Sequence, residues 1–168
     1  TTLGQADASG LPFDPEPLNL ADLCQELIED VSLSSGKTHH LIFTTSGACE
    51  NVVADRRLLR HIVLNLCNNA VKYSPEGTPV HIMLTCDGGL ATLAISDEGI
   101  GIPEDELTHL FDTFHRGKNV ADVPGTGLGL AITKRAVERH GGSISFETQV
   151  GHGTTFTVAF PISGQPLA

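Results

Sequence analysis

The sequence predicts an α+β two-layer sandwich, with a mixed, mostly antiparallel sheet packed against about three main helices. Two pairs of alternating apolar runs, each pair broken by a Gly-containing turn, read as hairpins. Three longer stretches repeat apolar residues every three or four positions, as half-buried helices do. Strands and helices do not alternate strictly along the chain, as a doubly wound parallel sheet would require.

Residues 1–16 mix Gly, Ser, Pro and acidic residues and read as a linker, ending in a short strand near Glu16–Leu20. The packed domain is assigned to 17–162 and a polar tail to 163–168. Asn19 or Asp22 can cap a helix over about Ala21 to Leu33, whose Leu23, Leu27, Ile28 and Val31 share one side. Ser34-Ser35-Gly36 ends it. HHLIFTTSG (39–47) and NVVAD (51–55) read as strands joined by a short turn, and Asp55 is a good N-cap for the next helix. In that helix Leu59, Ile62, Val63, Leu66, Cys67, Ala70 and Tyr73 form an apolar face until Ser74-Pro75-Glu76-Gly77 stops it. PVHIMLTCDGGLATLAISDEG divides at Asp87-Gly88-Gly89 into a hairpin. Helical patterns return at Glu104–Leu110 and Leu128–His140, and GSISFETQ with GTTFTVAFP forms the last hairpin. There are no internal repeats.

The 168 residues suit one compact domain, and a hydrophobic share of 40% with 18% charged residues is that of an ordinary globule. A formal net charge of −10 argues against nucleic acid as a partner. The single Met, Met83, in a chain that starts at Thr1 reads as a fragment or processed form. No apolar run approaches the roughly 18 residues of a membrane span, and no signal peptide is visible. A cytoplasmic location is therefore expected, whether or not a parent protein is membrane-anchored. Cys24, Cys49, Cys67 and Cys86 lack C-x-x-C spacing, so buried free thiols in a reducing compartment are expected, and no zinc site. The histidines read as surface or packing residues.

Chemistry collects in a few places. On the helix from Leu58, His61, Asn65, Asn69 and Lys72 form a stripe beside the apolar face. Asn is a poor helix former, so the stripe is either a polar edge or a row of amides and an ammonium aimed into a cleft. DEGIGIP (97–103) follows an apolar strand; its glycines allow close approach to a flat ligand, and Asp97 can accept from an exocyclic amine. An ordinary strand-to-helix loop is the alternative. GTGLGL (125–130) precedes a helix, where backbone amides can hold an anion. Neither G-x-x-x-x-G-K-[ST] nor a strand-borne G-x-G-x-x-G is present, against a P-loop or Rossmann protein. FDTFHRGKNVADVP between them carries Phe111, Phe114, Arg116 and Lys118 and suits either a lid over phosphates or a disordered surface loop. Alone, Gly151-His152-Gly153-Thr154-Thr155 reads simply as a hairpin turn.

The order of these signals is far more specific than any one of them. N-L-x-x-N-A-x-K-Y-S-P-E-G, D-E-G-I-G-I-P, L-F-D-T-F-H-R-G, G-T-G-L-G-L-A-I and G-H-G-T-T-F closely resemble the N, G1, F, G2 and G3 boxes of one family. That family is the catalytic and ATP-binding domain of sensor histidine kinases, within the GHKL (Bergerat-fold) superfamily that includes gyrase B and Hsp90. The resemblance spans about Leu18 to Pro161 and implies an ATP lid, ATP and magnesium as cofactors, and signal transduction by phosphoryl transfer. It implies Asn69 as magnesium ligand, Asn65 as its polar partner, Lys72 on phosphate and Tyr73 beside the nucleotide. Asp97 would accept the adenine amine, with Gly99, Gly101 and Ile102 shaping the base pocket and Thr154 completing it. Arg116, with Gly117 next to it, would reach the phosphates. Gly125, Thr126, Gly127, Leu128, Gly129 and Leu130 match the hinge and phosphate-facing turn. Asn65, Lys72 and Arg116 are the implied catalytic residues.

The hydrolysing relatives carry a Glu as base for water where this chain has Asn65, an amide that takes no proton at neutral pH. Transfer rather than hydrolysis is therefore expected. The family's acceptor segment reads roughly H-E-x-R-T-P, and none of the eight histidines has that context. The acceptor histidine and dimerisation helices are expected before Thr1, with a response-regulator receiver domain as partner and a monomeric isolated fragment. An ATP hydrolase of the gyrase or Hsp90 type, a non-catalytic ATP-binding module and a serine or threonine kinase are the alternatives. The region between about Arg116 and Pro124 is expected to be mobile when empty and ordered by phosphate.

Overall fold

The chain runs β1 (Glu16–Leu18), α1 (Leu20–Ser34), β2 (His40–Gly47), β3 (Val52–Ala54), α2 (Arg56–Lys72), β4 (Pro79–Asp87), β5 (Leu90–Asp97), α3 (Gly129–Arg139), β6 (Ser143–Gln149) and β7 (Gly153–Pro161). The computed structural model describes residues 11–34, 39–105, 110–111 and 129–163. Five strands form one mixed sheet in the order β2-β4-β5-β7-β6. Only β2 and β4 are parallel; every other pair is antiparallel. β2 and β3, though consecutive, do not pair: β3 joins β1 in a separate two-stranded sheet. Of the expected Glu104–Leu110 helix, residues 106–109 lie outside the described residues.

Alternation sets the faces. Val80, Ile82 and Leu84 of β4, Ala91, Leu93 and Ile95 of β5, and Phe156, Val158 and Phe160 of β7 are buried at every second position. They meet the apolar faces of the helices, including Leu59, Ile62, Val63 and Leu66 of α2, in one core. Asn19 caps α1 by accepting the Asp22 amide at 3.0 Å.

The start of α2 is closed by a polar knot. Asp55 Oδ1 accepts the Leu58 amide at 3.0 Å, and its Oδ2 accepts the Asp14 amide at 2.8 Å. The Asp55 amide donates to His140 Nε2 at 3.0 Å. His140 must therefore carry its proton on Nδ1, which donates to the Ala136 carbonyl at 2.8 Å. The ring packs edge-on to Phe13, over which the Arg139 guanidinium lies at 4.8 Å. Leu11, within the stretch read from sequence as linker, is buried.

The cysteines correct one expectation. Cys24 and Cys67 are buried free thiols, both pushed up to about 12 by burial. Cys49 and Cys86, in contrast, are joined in a disulfide with their Cα atoms 5.4 Å apart. A pair 37 residues apart has no local spacing signal. Parallel pairing sets Gly47 opposite Cys86, which brings Cys49, two residues on, beside it.

Candidate functional site

Asp97 ends β5 opposite Thr154 of β7. Its Oδ1 accepts the Gly99 amide at 2.8 Å and the Thr154 amide at 3.3 Å, while among the described residues Oδ2 accepts nothing. Burial pushes the Asp97 carboxyl above its ordinary range, and the two amides pull it back only in part. The carboxylate is thus held in place with half of its acceptor capacity unspent.

The loop after it is shaped by two glycines. A Cβ on Gly99 would stand 2.5 Å from the Tyr73 carbonyl oxygen and 2.7 Å from Asp97 Oδ1. Gly101 has φ +75°, and a Cβ there would meet the Gln149 carbonyl oxygen at 2.4 Å. The loop is tied to the end of α2 by Ile100 donating to the Tyr73 carbonyl at 3.2 Å. It is tied to β6 by the Ile102 amide donating to Thr148 Oγ1 at 2.9 Å. Thr148 Oγ1 lies 2.9 Å from Thr154 Oγ1, so one hydroxyl pair links both sides of Asp97. Tyr73, Asp97, Gly99, Gly101, Ile102 and Thr154 are therefore together in space.

On α2, the Asn65 Nδ2 donates to Thr133 Oγ1 of α3 at 2.9 Å. A Cβ on Gly129 would stand 2.3 Å from Asn65 Oδ1, so α3 begins against this amide. Asn69 is half-buried one turn on, and among the described residues its carboxamide makes no hydrogen bond. Lys72 is exposed, and Leu130 packs against the core. Arg116, Gly117, Gly125, Thr126, Gly127 and Leu128, and the expected mobile stretch, lie outside the described residues.

Two residues escape sequence reasoning, Thr148 and Thr133, while His61 is read there only as part of the α2 stripe. Thr148 could have been found as the last member of the inward stripe Ile144, Phe146, Thr148, where a hydroxyl replaces an apolar group. Thr133 is fully buried on α3 but carries no local signal. His61 has a buried Nε2 without a partner among the described residues. Burial lowers its pKa, and the nearby Gly129 backbone opposes that. An open depression of about 390 Å³ also adjoins Asp97 and Thr154. Its other walls include the outward-facing Ser96, Glu147, Gln149 and Thr155, and Asn65 and Asn69 do not line it.

With this geometry in hand, comparison with known proteins is informative. The histidine kinase-, DNA gyrase B-, and HSP90-like ATPase family matches residues 54–164. The circadian input-output histidine kinase CikA of Synechococcus elongatus is 48% identical over 64% of this chain and 15% of its own. The sensor-like histidine kinase SenX3 of Mycolicibacterium smegmatis is 35% identical over 92% of this chain and 40% of its own. The chain thus spans well under half the length of these relatives. Among solved structures, a mycobacterial sensor histidine kinase MprB superimposes with a TM-score of 0.77 at 31% identity, covering 92% of this chain and 100% of that one.

Proposed function

The chain belongs to the histidine kinase-, DNA gyrase B-, and HSP90-like ATPase family, as an ATP-binding catalytic domain of the sensor histidine kinase kind, and we propose that it binds magnesium-ATP and passes the γ-phosphoryl group to a histidine outside residues 1–168. The observation that carries this reading is Asp97: a desolvated carboxylate whose Oδ1 is anchored by two backbone amides while Oδ2 faces no described partner. That oxygen suits an exocyclic amine, and Gly99 and Gly101 let the loop close onto Tyr73 and Gln149, where a Cβ would clash, which fixes the loop beside it. Ile102 and Thr154 complete the base side, and Tyr73 sits where the loop meets α2.

Asn69 fits a magnesium ligand by its chemistry: a hard, neutral oxygen, half-buried and without a described bond. Among the described residues no group of three His, Cys, Asp or Glu side chains could hold a metal unaided. The cation's charge balance would come from the triphosphate. Bound magnesium would neutralise the phosphate oxygens. Lys72 and Arg116 supply positive charge to the phosphates, with the amides of 125–130 as an anion-binding turn. Asn65 takes the place of a base and cannot act as one, so water is not activated there. The phospho-acceptor and dimerisation helices of a parent protein, and a response-regulator receiver domain, are the proposed partners.

Titration calorimetry with a non-hydrolysable ATP analogue tests the reading. Binding should be tightened by magnesium and abolished by Asp97→Ala in a chain that still melts cooperatively. Incubation with γ-labelled ATP should leave the isolated chain unlabelled and release no steady phosphate. Absence of binding by the wild-type chain would sink the proposal, and histidine labelling of the chain alone would overturn the placement of the acceptor.

A further inference from the structure

We propose that Thr133 is a positioning residue that ties the Asn65 carboxamide to α3 and so holds it in one place beside Asn69. The inference rests on the nucleotide-binding reading above. Thr133 lies in the middle of α3 with a relative exposure of 0%. A valine would fill the same volume without burying a hydroxyl, whose burial costs free energy unless it is paired. Its pairing is with Asn65 Nδ2 at 2.9 Å, across the α2–α3 interface. One turn earlier on α3 is Gly129, where a Cβ would stand 2.3 Å from Asn65 Oδ1 and 2.8 Å from Nδ2. Two α3 positions therefore bracket a single amide.

An asparagine side chain has two ends of similar size, and turning its terminal torsion exchanges a donor pair for an acceptor. A threonine hydroxyl can accept from the NH2 or donate to the oxygen, so it holds the carboxamide at α3 in either state; without it the side chain is free to leave the rotamer that a ligand needs. In the observed arrangement the NH2 is spent on Thr133, and the amide oxygen is held one helical turn from Asn69. Such an acceptor suits a proton on water held by a cation, so its benefit falls on the magnesium-dependent part of nucleotide binding. The adenine end, at Asp97, does not depend on it.

Calorimetry with AMPPNP, with and without magnesium chloride, reads the two parts separately in wild type, Thr133→Val and Thr133→Ser. Thr133→Val should reduce the magnesium-dependent gain in affinity roughly three- to tenfold while metal-free affinity stays within about twofold. Thr133→Ser, which keeps the hydroxyl, should stay within about twofold of wild type in both. In an Asn65→Ala background, Thr133→Val should have no further effect. A full magnesium gain in folded Thr133→Val, or a serine variant as impaired as the valine one, overturns the assignment while leaving the nucleotide site standing. Wild type that binds AMPPNP in neither condition overturns the nucleotide reading and this one with it. If Thr133→Val fails to fold, side-chain amide NMR of the wild type decides. The Asn65 NH2 protons should exchange with water at least about tenfold more slowly than those of Asn69, and equal rates overturn the proposal.

Discussion

Asp55 and Asp97 are both carboxylates that folding removes from water, and they emerge shifted in opposite directions. Burial pushes each of them up. At Asp55, amides from Asp14 and Leu58 and the charge of Arg57 outweigh burial, and the group ends below its ordinary range. At Asp97 the Gly99 and Thr154 amides oppose it, among the described residues no cation helps, and the group ends above. The first carboxylate is saturated and closes the start of α2. The second is held but under-coordinated, at the mouth of a glycine loop. The first charge is satisfied within the fold, and the second keeps an acceptor open for the adenine amine proposed above.

The largest effect expected from separating these two ends is on the disulfide. Cys86 ends β4 beside the Asp87–Leu90 turn, at the end of the β4–β5 hairpin away from Asp97. Closing a loop of sequence separation 37 is worth about 4 kcal/mol in the chain-entropy estimate. Reduction, or Cys49→Ser, should therefore lower the melting temperature by roughly 8–16 °C. Nucleotide affinity should stay within about twofold, because among the described residues the bridge lies at the end of the β4–β5 hairpin away from Asp97. Mass spectrometry under non-reducing conditions checks the bond, and a parallel loss of affinity would break the division into two ends.

Next in size is Asp97→Asn. Replacing an acceptor-only group with one that also presents donors should weaken adenine-nucleotide binding by about 10- to 100-fold. Stability should move the other way. Because the folded pKa of Asp97 lies above the unfolded one, its ionisation at neutral pH opposes folding. The neutral variant should melt no lower than wild type at pH 7. Thermal melts beside calorimetry expose this split, and a variant that loses both stability and affinity would show Asp97 to be structural.

Asp55→Ala sharpens the contrast from the other side, with an expected loss of about 1–2 kcal/mol from the α2 cap and no change in affinity. Its wild-type contribution is present above the unfolded pKa and lost as pH falls through the depressed folded value. Wild type and variant should therefore converge in acid denaturation once the pH falls below the lowered folded pKa of Asp55.

What was legible in the sequence follows the range of the interactions. The hairpins β4–β5 and β6–β7, the Asn19 and Asp55 caps and the apolar face of α2 rest on neighbours a few residues apart, and local pattern reveals them. Asp97, Gly99, Gly101 and Thr154 were singled out by motif order, and folding places them against one another. The Cys49–Cys86 bond, the Thr148–Thr154 hydroxyl pair and the Asn65–Thr133 bond depend on register and on how two helices meet. No spacing in the chain encodes those directly. Leu11 and Phe13 look like isolated apolar residues in the sequence, whereas in the fold Leu11 is buried and Phe13 packs on His140.

The smallest effect belongs to His140, and its sign separates the closed end from the cleft once more. Burial lowers its pKa, the Ala136 carbonyl and Asp55 partly restore it, and Arg139 opposes them. Geometry demands the same: Nε2 accepts the Asp55 amide and cannot do so when protonated. The unfolded chain takes up this proton near pH 6.5, whereas the folded one takes it up only at lower pH. Stability from His140 is thus complete above that value and declines as pH falls toward the folded pKa. His61, lowered in the same direction, adds to the slope. His140→Gln, which can still accept the Asp55 amide through Oε1, should flatten the stability profile between about pH 7.5 and 5 but leave the His61 part. Asp97 shifts the opposite way and gains stability on acidification, so a wild-type profile rising toward pH 5 would mean that the cleft, not the closed end, dominates the acid response of the fold.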